Sequence, residues 1–266
     1  MPELPEVETI KRDLKKAVVG KRIAEVCVYN PAVIRFPSVD KFKKGLVGLE
    51  ITDILRKGKV LILELSNGKA LVIHLKMTGQ LVYPGSGRGS RLSFRFADGR
   101  IMDFSDQRLF AEVRLLDDWR SLRFIQQLGP EPFDLTPEDF KEKLGTKRTK
   151  IKPLLMEQDF IAGIGNLYAA ESLFRAGIHP ARPACSLSGE EKEKLLLAIK
   201  DILKEAVKHG GSSVDTYVRL SGRKGSFKSR HKVYGREGER CFCCKTPVKR
   251  ISLGGRGTYF CPRCQR

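Results

Sequence analysis

The chain has 266 residues, of which 41% are hydrophobic and 30% charged, and its formal net charge is +19. This length and composition provide for one large or two ordinary domains with buried cores, and they exclude a wholly disordered chain. The longest apolar run, residues 195–199, is too short to span a membrane, and the N-terminus lacks the apolar core of a signal peptide. We therefore expect a soluble cytosolic protein whose seven cysteines form no disulfide framework.

The positive charge is concentrated near the C-terminus. Residues 221–266 hold 13 Lys/Arg and 2 Asp/Glu, and five aromatic residues are interleaved with them. Self-repulsion of this size is typical of proteins with a polyanionic partner, although a solvated basic surface is the alternative. The interleaved aromatic residues favour nucleic acid over a membrane surface as that partner.

The first segment predicts a helix that is followed by a β-rich region. Pro5 suits a first helical turn, Glu6 and Glu8 suit the positive end of the helix dipole, and Gly20 suits its end. From residue 22 to 116 the pattern changes to short strands joined by tight turns. Hairpins are predicted at the Asn-Gly pair of residues 67–68 and at the Asp-Gly pair of residues 98–99. These strands indicate a β-sandwich or a barrel.

The pattern changes again after residues 129–132. This stretch contains two prolines and a glycine, which interrupt helices and strands alike, so we place a linker there. Residues 133–222 are predicted to form a helical domain. Thr136 precedes one helix, and Ser188 with Glu191 forms a capping box that begins another, which ends at Gly210 and Gly211.

A glycine turn at residues 160–166 separates two helical stretches. Gly163 and Gly165 allow the backbone to approach a ligand closely, and Asn166 is predicted to cap the next helix. Exposed amides at that helix start suit a DNA phosphate, whereas ordinary packing of two helices around a glycine turn is the alternative.

Four cysteines near the C-terminus predict a metal site. Cys241 and Cys244 form one Cys-x2-Cys pair, Cys261 and Cys264 form another, and 16 residues separate the pairs. Two such pairs can complete the tetrahedron of one structural Zn²⁺. Unligated thiols or two disulfides are the alternatives, and the neighbouring Cys243 is an alternative ligand that breaks the spacing. The zinc would brace a short hairpin whose tip, residues 254–257, presents Arg256 to a groove or a phosphate.

The N-terminus offers a nucleophile. Initiator Met1 is expected to be removed because Pro2 is small, which leaves a free secondary amine on Pro2. An unperturbed α-amino group titrates at about 7.7–8.0, and the positive end of a helix favours its neutral, nucleophilic form. Glu3 and Glu6 are nearby proton donors and acceptors. The alternative is an ordinary helix start with proline in its first turn.

An ordered set of motifs runs along the whole chain: MPELPEVET at residues 1–9, GK at 58–59, HLKMTGQ at 74–80, LGPEP at 128–132, AGIGN at 162–166, VYGR at 233–236 and GRGTYFCPRCQ at 255–265. This ordered set resembles that of the bacterial formamidopyrimidine-DNA glycosylases. The resemblance implies an α+β multidomain fold, with an N-terminal two-layer β-sandwich with flanking helices, a helix–two-turn–helix domain and a C-terminal zinc-finger β-hairpin.

The resemblance also implies an activity and its residues. The family members are bifunctional DNA glycosylases and AP lyases of base excision repair that act on 8-oxoguanine and formamidopyrimidines in double-stranded DNA. By position, Pro2 would attack C1′ of the damaged nucleotide, Glu3 would act as general acid/base, Glu6 would support that site, and Lys59 would contact the adjacent phosphate and contribute to catalysis. The zinc would take no part in the chemistry.

Six further residues match DNA-contacting positions of the family. Three would fill the space left by the extruded base and three would bind phosphates, namely Met77, Arg108 and Phe110 in the first group and His74, Asn166 and Arg256 in the second. Residues 216–234 match a mobile loop that covers the extruded base. Considered alone, Met77, Phe110 and His74 would be interpreted as buried residues, and Arg108 as a surface charge.

The predicted organisation is a catalytic β-sandwich domain at residues 1–130, a DNA-binding domain at 131–234 and a zinc finger at 235–266. We expect a monomer in the bacterial cytoplasm, associated with the nucleoid through DNA. Departures from relatives occur at residues 88–91, at Thr78, where some members have Glu, and at Ala111, where relatives usually have Gly. The alternatives are an endonuclease VIII-like glycosylase for oxidised pyrimidines and a zinc-bearing nucleic-acid-binding protein without catalytic activity.

Overall fold

The computed structural model describes all 266 residues, and the chain divides into two compact units. The first unit comprises Met1–Gln126 and Val207–Lys228, and the second comprises Gln127–Ala206 and Ser229–Arg266. The chain therefore leaves the first unit, returns to it and leaves it again. Each unit combines two separate stretches of chain. The three domains predicted from the sequence, with boundaries at residues 130 and 234, therefore stay a prediction. No helix has the length and apolar character needed to cross a membrane.

Nine strands of the first unit form two sheets. They are β1 (Ile23–Val28), β2 (Ile34–Phe36), β3 (Ile51–Lys57), β4 (Val60–Leu65), β5 (Ala70–His74), β6 (Gln80–Val82), β7 (Leu92–Phe96), β8 (Ile101–Ser105) and β9 (Glu112–Leu116). One sheet has the order β1-β7-β8-β6 and the other β2-β9-β5-β4-β3. Neighbouring strands are antiparallel except β2 and β9.

Alternating side chains explain why the two sheets form layers. In β4, Leu61 and Leu63 belong to a buried core that also contains Phe94 of β7 in the other sheet. Their neighbours Val60 and Ile62 point to the opposite face, where they join a second buried cluster. Full burial of such a side chain contributes about 1.5–3 kcal/mol, so both faces of this strand stabilise the fold. The predicted β-sandwich is confirmed.

The predicted hairpin at residues 67–68 lies between β4 and β5. Asn67 Oδ1 accepts a hydrogen bond from the Lys69 amide at 3.1 Å, and Gly68 has φ of +82°, which favours glycine. The antiparallel register then pairs Val60 with His74. This register sets the end of β5, with His74, beside the start of β4.

Helix α1 (Leu4–Val18) begins where the sequence predicts. Glu3 and Glu6 form a capping box, proline lies in the first turn, and the buried face includes Ile10 and Leu14. The helix packs against β3 and β4. Two shorter helices, α2 (Val39–Lys44) and α3 (Arg123–Gln126), also lie in this unit.

The second unit is helical and carries a C-terminal hairpin. Its helices are α4 (Pro137–Leu144), α5 (Ile151–Met156), α6 (Asn166–Ala176) and all but the last two residues of α7 (Gly189–Lys208), and its strands are β10 (Lys249–Leu253) and β11 (Arg256–Phe260). Both predicted helix starts are confirmed, since Thr136 pairs with Asp139 and Ser188 with Glu191 in capping boxes.

A buried carboxylate joins α6 to the segment that precedes the hairpin. Glu171 is 1% exposed and accepts hydrogen bonds from the backbone amides of Lys232, Val233 and Tyr234 at 2.8, 3.0 and 2.8 Å. Burial raises the pKa of Glu171, while these three amides oppose the rise. An unpaired buried amide is costly, so this side chain fixes the path of residues 232–234.

Candidate functional site

The N-terminal residues are held in place by a carboxylate. Pro2 is buried and directly precedes Glu3, which is also buried and is the N-cap residue of α1. Glu6 Oε2 accepts a hydrogen bond from the Glu3 amide at 2.8 Å, and Glu6 Oε1 accepts one from the Ser212 amide, also at 2.8 Å. Each Glu6 oxygen thus receives a backbone N–H. Glu6 therefore positions the backbone at Glu3 and connects it by hydrogen bonds to residues 207–228. This arrangement suits the role predicted for Glu6, which is to support the site of Pro2 and Glu3.

Lys59 follows Gly58 in the turn between β3 and β4 and is only 6% exposed. Arg56 anchors this turn, because its Nη1 donates to Gly58 O at 2.9 Å while its Nε donates to Glu8 of α1 at 2.9 Å. Burial opposes ionisation of Glu8, but hydrogen bonds from Arg56, Arg12 and Lys11 lower its pKa. An ion pair therefore links the helix that begins after Pro2 to the turn that carries Lys59.

His74 ends β5 and is partly buried. Burial, together with the charges of Lys76 and Lys59, lowers the pKa of His74 to about 3 against a smaller opposing effect of Glu112. Its Nδ1 accepts a hydrogen bond from the Lys76 amide at 3.1 Å, which assigns the ring proton to Nε2. His74 can therefore offer a phosphate a neutral N–H donor rather than a positive charge.

We expect the C–H resonances of His74 to show no titration between pH 5 and 8 in the protein without DNA. NMR spectra across this range, with a His74→Asn variant to assign the signal, measure this directly. The folded-state pKa lies below the value of about 6.5 in unfolded chains, so this residue's contribution to the free energy of unfolding decreases as the pH falls below about 6.5. A titration midpoint between pH 6 and 7 would contradict the neutral assignment.

Met77, Arg108 and Phe110 lie on two loops of the first unit. Met77 is 39% exposed and Phe110 is 51% exposed, so the interpretation of either as a core residue is wrong. Arg108 is also exposed, and its guanidinium carbon lies 4.8 Å from the centre of the Phe110 ring. An exposed aromatic ring beside a guanidinium group suits insertion between stacked bases.

The second unit brings Asn166 and the hairpin together. Asn166 is the first residue of α6 and Gly165 is the N-cap, so the prediction that Asn166 caps this helix is wrong. Its side chain is engaged elsewhere: Nδ2 donates to Gly257 O at 3.2 Å, and Oδ1 accepts from the buried Lys152. Gly257 follows the exposed Arg256 in β11. Asn166 therefore links the helix start to the strand of Arg256.

The four predicted cysteines lie close together in a closed site. The Sγ atoms of Cys241, Cys244, Cys261 and Cys264 are all within 4.8 Å of one another. Two of the separations are 3.9 Å and 3.3 Å, close to the edge of about 3.8 Å in a tetrahedron with Zn–S bonds of about 2.3 Å. The donor set fits one structural zinc, and Cys243 is exposed and outside the group.

Residues 207–228 are anchored to the rest of the first unit. Arg219 bonds Asp13 of α1 at 3.0 Å, and Leu220 O accepts from the Tyr83 amide at 2.7 Å, while Tyr217 Oη donates to Gly210 O at 3.0 Å within the segment itself. The part of the predicted mobile loop that lies in this stretch is thus folded against the sheet and helix of its own unit. Such long-range contacts give no local sequence signal.

Three family models match the chain. Residues 1–113 match the formamidopyrimidine-DNA glycosylase N-terminal domain, residues 128–218 match the H2TH domain of the same glycosylases, and residues 238–266 match a zinc finger found in FPG and IleRS. The predicted helix–two-turn–helix domain, zinc finger and single structural zinc are thereby confirmed.

Relatives and solved structures match over the full length. The formamidopyrimidine-DNA glycosylase of Solibacter usitatus is 42% identical over 267 residues and covers all of both chains. A Lactococcus lactis FPG mutant bound to Fapy-dG-containing DNA has a TM-score of 0.91 at 37% identity, covering 100% of each chain. Lactococcus lactis Fpg bound to abasic-site DNA has a TM-score of 0.90 at 36% identity, covering 99% of each chain.

Proposed function

The chain belongs to the formamidopyrimidine-DNA glycosylase family, and from this premise we propose that it is a bifunctional DNA glycosylase and AP lyase. It removes 8-oxoguanine and formamidopyrimidines from double-stranded DNA in base excision repair. The Lactococcus lactis proteins of the same fold bind Fapy-dG-containing and abasic-site DNA, which supports this substrate class. We also propose that the protein acts as a monomer in the bacterial cytoplasm.

In the proposed reaction, the secondary amine of Pro2 attacks C1′ of the damaged nucleotide. A nitrogen–carbon bond forms, the glycosidic bond breaks, and the base leaves with the bonding electron pair. Glu3 transfers a proton to the sugar ring oxygen as the ring opens, and the amine loses its proton to give the iminium Schiff base. Loss of a C2′ proton then starts β-elimination of the 3′ phosphate, and δ-elimination of the 5′ phosphate follows.

The remaining residues position the DNA. Lys59 contacts the phosphate beside the lesion, and its burial in an anchored turn supports a fixed position for that charge. His74, Asn166 and Arg256 bind other phosphates. Met77, Arg108 and Phe110 enter the space left by the extruded base, and the exposure of both apolar side chains supports this role. The zinc stabilises the hairpin of Arg256 and takes no part in the chemistry.

The proposal rests on the bonds that fix the start of α1 and the turn of Lys59. The backbone just after Pro2 is held through Glu3 by the Glu6 carboxylate, and the Glu8–Arg56 ion pair links the same helix to the Lys59 turn. A nucleophile, an acid/base and a phosphate-binding cation are therefore borne on elements that are fixed to one another. This is the arrangement that a Schiff-base mechanism at a sugar carbon needs.

The test is borohydride trapping on duplexes that contain 8-oxoguanine opposite cytosine. We expect a covalent protein–DNA adduct and strand cleavage, and neither product from the same duplex with undamaged guanine. A duplex with thymine glycol separates the alternatives, since preferential cleavage of it would indicate an endonuclease VIII-like enzyme. Binding without any adduct would indicate a non-catalytic nucleic-acid-binding protein.

A further inference from the structure

Two loops of the first unit carry the residues proposed to fill the DNA stack. The Met77 loop comprises residues 75–79, and the wedge loop comprises residues 106–111 with Arg108 and Phe110. The loops lie in close contact, because a Cβ atom added at Gly79 would lie 3.0 Å from Cβ of Ala111. Ala111 is fully buried at this contact. Ala111 stands where relatives usually have glycine, and its methyl group fits because the facing residue, Gly79, has no side chain.

A buried carboxylate organises the wedge loop. Asp106 is 1% exposed, and its Oδ2 accepts a hydrogen bond from the Ala111 amide at 2.7 Å. Its Oδ1 accepts one from the Arg108 amide at 3.2 Å. These bonds close the loop on both sides of Leu109, whose φ of +56° is in the left-handed region that non-glycine residues rarely adopt. The strained backbone between Arg108 and Phe110 therefore depends on Asp106.

Thr78 connects the Met77 loop to this carboxylate. Its hydroxyl donates to Asp106 Oδ1 and accepts from the Arg108 amide at 3.1 Å. The hydroxyl is the polar group of the Thr78 side chain, and both its donor and an acceptor position are occupied within the protein. Thr78 is thus built into the contact between the two loops rather than directed to a ligand.

We propose that Asp106 and Thr78 are positioning residues that hold the Met77 loop and the wedge loop as one rigid element, and thereby set the efficiency of base extrusion. The inference rests on the proposed function. Neither residue contacts DNA in this role. A hydrogen bond to a buried carboxylate is strong. Loss of the Thr78 hydroxyl removes its bond to Asp106 and one of the two acceptors of the Arg108 amide, which relaxes the loop that carries Phe110. Extrusion of a paired base then lacks a preorganised wedge.

Thr78→Val removes the hydroxyl with little change in shape, and Thr78→Ser retains it. We expect Thr78→Val to lower kcat/KM on 8-oxoguanine opposite cytosine by about 10- to 100-fold, and Thr78→Ser to restore most of it. Extrusion costs less on a duplex in which the nucleotide opposite the lesion is missing. On that duplex we expect Thr78→Val to lower kcat/KM by no more than about threefold. Thr52→Val, at an exposed threonine of β3, is the matched control and should leave both rates unchanged.

The two substrates distinguish wedge positioning from a general structural role. Equal losses of kcat/KM on both duplexes would overturn the inference, as would a fall in the thermal unfolding midpoint large enough to account for those losses. A Thr78→Val enzyme with the same kcat/KM values as the Thr52→Val control would also overturn it. Asp106→Asn gives a second reading, because it keeps one acceptor oxygen and should show the same substrate dependence. A wild-type protein inactive on both duplexes would instead overturn the proposed function on which the inference rests.

Discussion

Protein that retains Met1 will form no borohydride-trapped adduct with 8-oxoguanine-containing DNA, whereas the same chain beginning at Pro2 will form one. In the longer chain the proline nitrogen is a tertiary amide, whose lone pair is delocalised into the carbonyl group and cannot attack C1′. We expect the trapping rate to fall by about 10³-fold or more, as when the acting group of an enzyme is removed.

The comparison needs no substitution. Chain prepared with its initiator methionine intact is divided into two portions, one of which is treated with a methionine aminopeptidase, and mass spectrometry reports the fraction that begins at Pro2. Duplex binding by both portions is the control, because Met1 is exposed and its retention leaves the fold intact. Adduct formation at equal rates by both portions would exclude Pro2 as the nucleophile.

Removal of the zinc will unfold the C-terminal hairpin and weaken DNA binding. Structural zinc sites in small finger peptides bind with about 10–16 kcal/mol, and the two-stranded sheet of β10 and β11 has little core of its own. We expect Cys241→Ser to abolish stoichiometric zinc and to lower duplex affinity by roughly 10- to 100-fold, since the strand of Arg256 and its link to Asn166 are lost.

Cys243→Ser is the matched control, because this thiol is in the same turn but is exposed and outside the four-sulfur group. It should retain one zinc per chain and wild-type affinity. Zinc content by elemental analysis and duplex titration by fluorescence anisotropy measure both effects. Zinc-free Cys241→Ser protein with unchanged affinity would show that the hairpin does not take part in binding.

Local patterns in the sequence predict much of this molecule. The helix caps at Thr136 and Ser188, the Asn-Gly hairpin and the paired Cys-x2-Cys motifs each depend on residues close together in the chain, and each appears in the structure. The start of α6 is the exception. There Gly165 takes the cap position and frees the Asn166 side chain for contacts with the distant Lys152 and Gly257.

The pairings that sequence reasoning missed join residues far apart in the chain. Asp106 bonds Thr78 across 28 residues, Arg56 bonds Glu8 across 48 residues, and Glu6 bonds the Ser212 amide across 206 residues. No periodicity or motif spacing encodes such partners. An isolated acidic residue within a turn, as at Asp106, is the only local signal, and many solvated turns share it.

The bond between Glu6 and Ser212 has a consequence for dissecting the protein. A fragment that stops at residue 126 would lack the donor for one oxygen of a buried carboxylate beside the N-terminus, although it contains all nine strands of the sandwich. The first unit therefore cannot be isolated by a single truncation of the chain, because it consists of two separate stretches. Its minimal autonomous version would be a circularly permuted or grafted chain that restores residues 207–228.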